Sequence, residues 1–141
     1  MWNEQRLRKA VSTGFSSSLG IRLNKLSKNR VAGNMDVAVG HLSDTGYLHG
    51  GVMMTFADAL AACGARLNLP PGGTTATMES KTNFLAPCGL GRLSGASIPL
   101  HVGARTSVWQ TSLYDGAGKR VAVVIQTQIV LYGKNIRGYR R

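Results

Sequence analysis

The stretch His49-Gly50-Gly51-Val52-Met53-Met54-Thr55-Phe56-Ala57-Asp58 decides how this chain is read. After the paired glycines, apolar residues recur at Val52, Met53, Phe56, Ala57, Leu60 and Ala61, the spacing of one helix stripe. The pattern predicts a helix from Gly50 to about Leu67, stopped by Asn68-Leu69-Pro70-Pro71-Gly72-Gly73. Asp58 falls about two turns into that helix, beside the apolar stripe rather than on a solvated face. A carboxylate there costs several kcal/mol to hold charged unless something uses it or pairs with it. Arg66 is a cation on the same helix that offers a purely structural pairing. At the helix start, the unpaired N–H groups of Gly50 and Gly51 make a natural hole for a developing oxyanion. An acid and a set of amide donors make half of a hydrolase site. Met53, Met54 and Phe56 read first as helix core and second as the lining of an acyl pocket.

Around this helix the chain alternates as strands do. Glu4 to Val11 predicts a short helix, followed by a Ser-rich turn at Ser16-Ser17-Ser18. Gly20 to Leu26 and Arg30 to Val39 read as strands joined at Lys28-Asn29, and His41 to Leu48 as a polar loop. Beyond the breaker come Thr74 to Leu85, Gly91 to Val102, Thr106 to Tyr114 and Val121 to Tyr132, with a hairpin signal at Asp115-Gly116-Ala117-Gly118. In the last of these, Gln126 and Gln128 alternate with Thr127 and Ile129. An apolar helix amid antiparallel strands predicts an α+β layout with the sheet wrapped around the helix.

The order of elements and the residues on them resemble the hotdog fold, and within it the phenylacetic-acid-degradation type of acyl-CoA thioesterase. The resemblance spans about Phe15 to Leu131. It is carried by Leu19-Gly20-Ile21, Gly46-Tyr47-Leu48-His49-Gly50-Gly51, Asp58, Asn83-Phe84-Leu85-Ala86-Pro87, Gly103-Ala104-Arg105-Thr106, and Asp115-Gly116 followed by Val121-Ala122. It implies a long central helix wrapped by a curved antiparallel sheet, and a homodimer or homotetramer whose active sites lie between subunits. It also implies that Asp58 is the catalytic carboxylate, that the Gly50 N–H polarises the thioester carbonyl, and that His49 helps position it. Thr77 matches a hydroxyl that, from the partner chain, helps hold the attacking water. Ser43, Gly51, Arg105 and Thr106 fall where such enzymes meet substrate, the last two near the nucleotide end of coenzyme A. Where the family often has Asn before His-Gly-Gly, this chain has Ser43, which lacks an amide's paired donor and acceptor.

The expected activity is therefore hydrolysis of an acyl or aryl thioester to the free acid and coenzyme A. The carboxylate acts as general base on water or as nucleophile, and both routes stay open. The rival readings are a non-catalytic acyl-CoA or aromatic-acid binding protein and an enoyl-CoA hydratase on the same fold. No external cofactor is expected, since coenzyme A enters as part of the substrate. No metal is expected either, because Cys63, Cys88, His41, His49 and His101 lack ligand spacing.

At 141 residues, 43% hydrophobic and 16% charged, the chain reads as one folded domain over 1–141, with a core at 15–132 and basic tails. A net charge of +11 raises nucleic acid as a partner. Yet the sequence lacks aromatic–basic interleaving, a helix-turn-helix pattern and zinc-finger spacing, so nucleic acid is not expected. A polyanionic small ligand such as coenzyme A accounts for part of the charge. Solvated tails (Arg6, Arg8, Lys9 and Lys134, Arg137, Arg140, Arg141) account for more. No apolar run reaches the ~18–20 residues of a membrane span, and the opening residues lack a secretion signal's apolar core. No membrane partner and a cytoplasmic location are expected.

Overall fold

The computed structural model describes residues 1–132, so the basic cluster from Lys134 to Arg141 lies outside the described residues. Helix α1 (Glu4–Val11) and the short α2 (Gly14–Ser18) precede strands β1 (Arg22–Ser27) and β2 (Arg30–Val37). A 3-10 turn at Val39–His41 leads to α3 (Gly50–Leu67), followed by β3 (Gly73–Phe84), β4 (Gly91–Val102), β5 (Thr106–Tyr114) and β6 (Arg120–Tyr132). The strands form one antiparallel sheet in the order β1-β2-β4-β5-β6-β3. The expected helix-in-sheet layout is borne out, and its long helix has the bounds read from the sequence. Two local readings change. The serines of 16–18 close a helical turn, with Ser17 and Ser18 hydroxyls donating to Gly14 and Phe15 carbonyls. Residues 38–39 leave the strand for the 3-10 turn, where the ring of His41 accepts from the Ala38 N–H.

Burial follows the strand period of two, seen in β5, where Ser107, Trp109, Thr111 and Leu113 face inward and their neighbours outward. The inward residues meet α3, whose Met53, Phe56, Ala57, Leu60, Ala61, Cys63, Gly64 and Ala65 are buried. The core extends ahead of the expected 15–132 span. Asn3 caps α1 by accepting from the Arg6 N–H at 2.9 Å, and α1 turns Leu7 and Val11 inward. Part of the basic N-terminus is therefore tied down, Arg8 pairing with Glu4 and donating to the Leu23 carbonyl.

Glycines set how closely α3 sits on the sheet. Gly33 and Gly95 pair across β2 and β4 directly beneath Leu60. A methyl group at Gly95 would fall 2.8 Å from the Leu113 side chain and 2.9 Å from that of Leu60. On the helix, one at Gly64 would overlap the ring of Trp109. That ring is fully enclosed, and its N–H donates to Ser107 Oγ at 3.0 Å. Among the described residues no helix is long and apolar enough to cross a membrane.

Two outcomes are expected. Gly64→Ala forces the enclosed Trp109 ring or the helix to shift, lowering stability by about 1–3 kcal/mol. A fall in urea midpoint at unchanged slope measures it, with Gly40→Ala as the control, an exposed glycine where an added methyl meets nothing. Burial pushes the Cys63 thiol from 9.0 to about 11, with Asp58 adding to the rise and Arg66 opposing it. The folded chain thus keeps a proton that the unfolded chain releases near 9.0. Stability should therefore fall as pH climbs from 9 towards 11, more steeply than in Cys63→Ala, as read by unfolding midpoints across that window.

Candidate active site

Asp58 sits on α3 where the helix crosses the outer pair of strands, β6 and the edge strand β3. Its Oδ1 accepts from the Thr77 hydroxyl at 2.7 Å and from Gln126 Nε2 at 2.9 Å. Thr77 in turn accepts from Gln128 Nε2 at 2.8 Å. A threonine hydroxyl has one hydrogen, so the amide behind Thr77 leaves it to donate forward to the carboxylate. Thr75 completes the row, donating to the Ile129 carbonyl at 2.8 Å and lying 3.2 Å from Gln128 Oε1. Oδ2 of Asp58 accepts nothing from the described residues, and none of the ion pairs involves it. The structural partner expected for it, Arg66, stacks instead on Trp2 at 4.8 Å.

The side chain is half-buried, and neutral donors rather than a cation hold it. Such donors fix a carboxylate without neutralising it, which leaves Oδ2 able to take a proton or attack a carbon. Gln126 and Gln128 are essentially fully buried, and Gln126 Oε1 has no partner among the described residues. An unsatisfied buried carbonyl costs about 1–3 kcal/mol. The sequence offered a signal for both: polar amides at alternate positions, on one face of a strand that is otherwise apolar. Ser80 and Thr82 prolong this polar seam along β3, Ser80 opposite Gln126 and Thr82 opposite Val124. Their hydroxyls are also buried without partners among the described residues.

At the helix start the expected pair of amide donors reduces to one. His49 is the N-cap, and its Nδ1 accepts the Gly51 N–H at 2.9 Å. Gly51 is therefore a capped backbone group rather than an oxyanion donor, and the ring's proton lies on Nε2. Gly50 keeps an N–H that donates to nothing among the described residues. It borders an open apolar groove of about 510 Å³ with Leu48, Met53, Phe84, Leu85, Ala86 and Pro87. A side chain at Gly50 would meet the Phe84 ring at 2.8 Å. Met53 thus lines this groove while remaining buried, Phe56 is core alone, and Met54 is partly exposed.

Asp58 lies eight helical steps beyond Gly50, a rise of about 12 Å. One copy's amide and carboxylate are too far apart to act on the same carbonyl. The remaining expected residues are dispersed. Thr77, expected to act from a partner, meets Asp58 of its own chain, because β3 returns along α3 beside β6. Ser43 is committed to its own turn, 2.7 Å from Thr45 Oγ1 and 3.2 Å from the Tyr47 carbonyl, and is not brought to Asp58. Arg105 lies exposed in the β4–β5 turn, its carbonyl accepting from Val130 N–H at 2.8 Å. Thr106 starts β5 opposite Ile129, in the register row next to that of Thr77.

The thioesterase superfamily model matches residues 45–122, from the loop before α3 into β6. The chain belongs to the thioesterase superfamily. As a member it is a thioester hydrolase with the hotdog fold. It is 26% identical over 110 residues to the 1,4-dihydroxy-2-naphthoyl-CoA hydrolase of Listeria monocytogenes, covering 78% of this chain and 89% of that one. It is 28% identical over 102 residues to the proofreading thioesterase EntH of Klebsiella pneumoniae, covering 72% and 74%. Among solved structures, Escherichia coli PaaI, from the phenylacetic acid degradation operon, superimposes with a TM-score of 0.81. That match covers 89% of this chain and 90% of PaaI at 20% identity, a likeness of fold.

The polar row beside the carboxylate yields a further expectation. Thr77→Val keeps the shape but removes the hydroxyl, so Gln128 Nε2 loses its acceptor and Asp58 Oδ1 loses one of two donors. Because Thr77 is exposed, a loss of about 0.5–1.5 kcal/mol in chemical unfolding is expected, and Thr77→Ser should restore most of it.

Proposed function

We propose that two copies of this superfamily member hydrolyse an acyl-CoA, Asp58 of one copy and Gly50 N–H of the other meeting at the thioester. The observation that carries the reading is the Asp58 carboxylate, held on Oδ1 by Thr77 and Gln126 while Oδ2 accepts from none of the described residues. Oδ2 takes a proton from water as the water oxygen bonds to the thioester carbon. The oxyanion so formed accepts from the Gly50 N–H at a helix start, aided by the helix dipole. Collapse breaks the C–S bond, and the departing sulfur takes up the proton held on Oδ2, which returns the carboxylate. Because a thiolate leaves readily, no strong general acid is needed.

The 12 Å rise between Gly50 and Asp58 supports pairing of two chains. So does the sheet, which ends at β3, a twelve-residue edge with β6 as its one neighbour among the described residues and with Met78 and Phe84 exposed. We assign β3 as the edge where two copies meet, His49 as the residue that fixes the helix start, and the groove at Gly50 as part of the substrate path. Arg105 and Thr106 are assigned to the nucleotide end of coenzyme A, and Ser43 to shaping the loop before the helix. No cofactor beyond the substrate's own coenzyme A is invoked. The free thiols Cys63 and Cys88 suit a reducing compartment, and the cytoplasm is the proposed one. The names of the Listeria and Klebsiella relatives support aryl-CoA thioesters as the first substrates to try.

Free-thiol release from a panel of acyl- and aryl-CoAs tests the reading. Asp58→Asn should lower kcat by about 10²–10⁴-fold, the usual range for a lost general base. Turnover equal to that of the native chain would remove Asp58 from the chemistry. Binding without thiol release would favour a binding protein, and reaction at an enoyl bond with the thioester intact would favour a hydratase. Gly50→Pro deletes the N–H at a helix position where proline is tolerated, and should cost about 10²–10³-fold in kcat. Gly50→Ala controls for contact with Phe84. Mixing inactive Asp58→Asn with inactive Gly50→Pro chains should restore activity, since one site in each mixed pair is then intact.

A further inference from the structure

Gln126 has features that packing alone does not explain. It lies on β6 at full burial, in a strand where Val121, Ala122 and Val124 supply the neighbouring core. Its carbonyl oxygen has no partner among the described residues, while its amide nitrogen is spent on one atom, Asp58 Oδ1, at 2.9 Å. A carboxylate oxygen only accepts, so the amide is fixed in this orientation and cannot flip without placing two oxygens together. The other bond to Oδ1 is equally directed. Gln128 Nε2 donates to Thr77 Oγ1 at 2.8 Å, which turns the single Thr77 hydrogen towards Asp58 at 2.7 Å. Two donors from adjacent strands thus converge on one of two otherwise equivalent oxygens.

We propose that Gln126, with Gln128 acting through Thr77, is a positioning residue that makes Oδ2 the sole reactive oxygen of Asp58. This rests on the hydrolytic reading above. Saturating Oδ1 fixes the plane of the carboxylate and directs the oxygen that takes water's proton. A carboxylate free to rotate would offer either oxygen in many orientations, and misplacing a catalytic group by about 1 Å commonly costs 10²-fold in rate. Neither glutamine touches the substrate.

The test is thiol release by Gln126→Met, which keeps the length of the side chain and removes the donor. A fall in kcat of at least tenfold with KM within about twofold is expected, because geometry at the reacting atom is lost and substrate contacts are kept. Gln128→Met should give a smaller loss of the same kind. In an Asp58→Asn background, Gln126→Met should cause no further loss, since the residue acts through that carboxylate. Equal kcat for Gln126→Met and the native chain, or additive losses in the double variant, would overturn the proposal. Should Gln126→Met fail to fold, Gln126→Asn provides the same comparison with a shortened amide. The Gln126 side-chain amide proton reports the contact without activity: its resonance should lie downfield and move upfield in Asp58→Asn. An unmoved resonance sinks the clamp even if hydrolysis is established. A native chain that releases no thiol, with the resonance shift present, sinks the hydrolytic reading instead.

Discussion

The close seat of α3 on the sheet governs everything built on it, because an 18-residue helix cannot approach strands carrying large side chains at each contact. Gly33 and Gly95 open the space that Leu60 fills, and Gly64 opens the space that Trp109 fills. With the helix held at that depth, Asp58 comes level with the outer strands instead of standing above them. Packing density of this order transmits small displacements directly.

Once seated, the helix presents a carboxylate to a strip that is polar in an otherwise apolar interior. Gln128, Thr77 and Gln126 form a chain of bonds that ends on Asp58 Oδ1 with the direction of each bond fixed. Such a row stabilises a charged group without pairing it, and so keeps it available for reaction. The helix start is arranged on the same principle. His49 satisfies the Gly51 N–H, while that of Gly50, in a groove with apolar walls, donates to none of the described residues. Each end of the proposed chemistry is thus a polar group left incompletely bonded beside a partnered one, Oδ2 beside Oδ1 and Gly50 N–H beside Gly51 N–H.

Part of the positive charge on the described residues is paired at the surface. Arg22 and Arg92 meet Asp36 at the surface, and Arg8 meets Glu4, pairs with side chains 44–64% exposed. Exposed pairs of this kind contribute about 0–1 kcal/mol each. Their placement bears on which anions approach, not on whether the chain folds.

Much of this was legible in the linear order of residues. Helical spacing after Gly50 and the breaker at Asn68 fixed α3, because a local period and its stop signals need no tertiary information. Alternation located the strands for the same reason, and a lone acid beside an apolar stripe marked Asp58. The serines of 16–18 were misread as a turn because a single helical turn gives too few residues to establish a period. What the acid touches could not be read so. Thr77, Gln126 and Gln128 lie 19 to 68 residues from their partners, and only the pairing register of β3 with β6 brings them together. Likewise, that Gly51 is already capped and Gly50 is not depends on one side-chain rotamer, that of His49, which sequence leaves open. Local composition determines which elements form; which of two oxygens, or two amides, is left to react is decided by long-range packing.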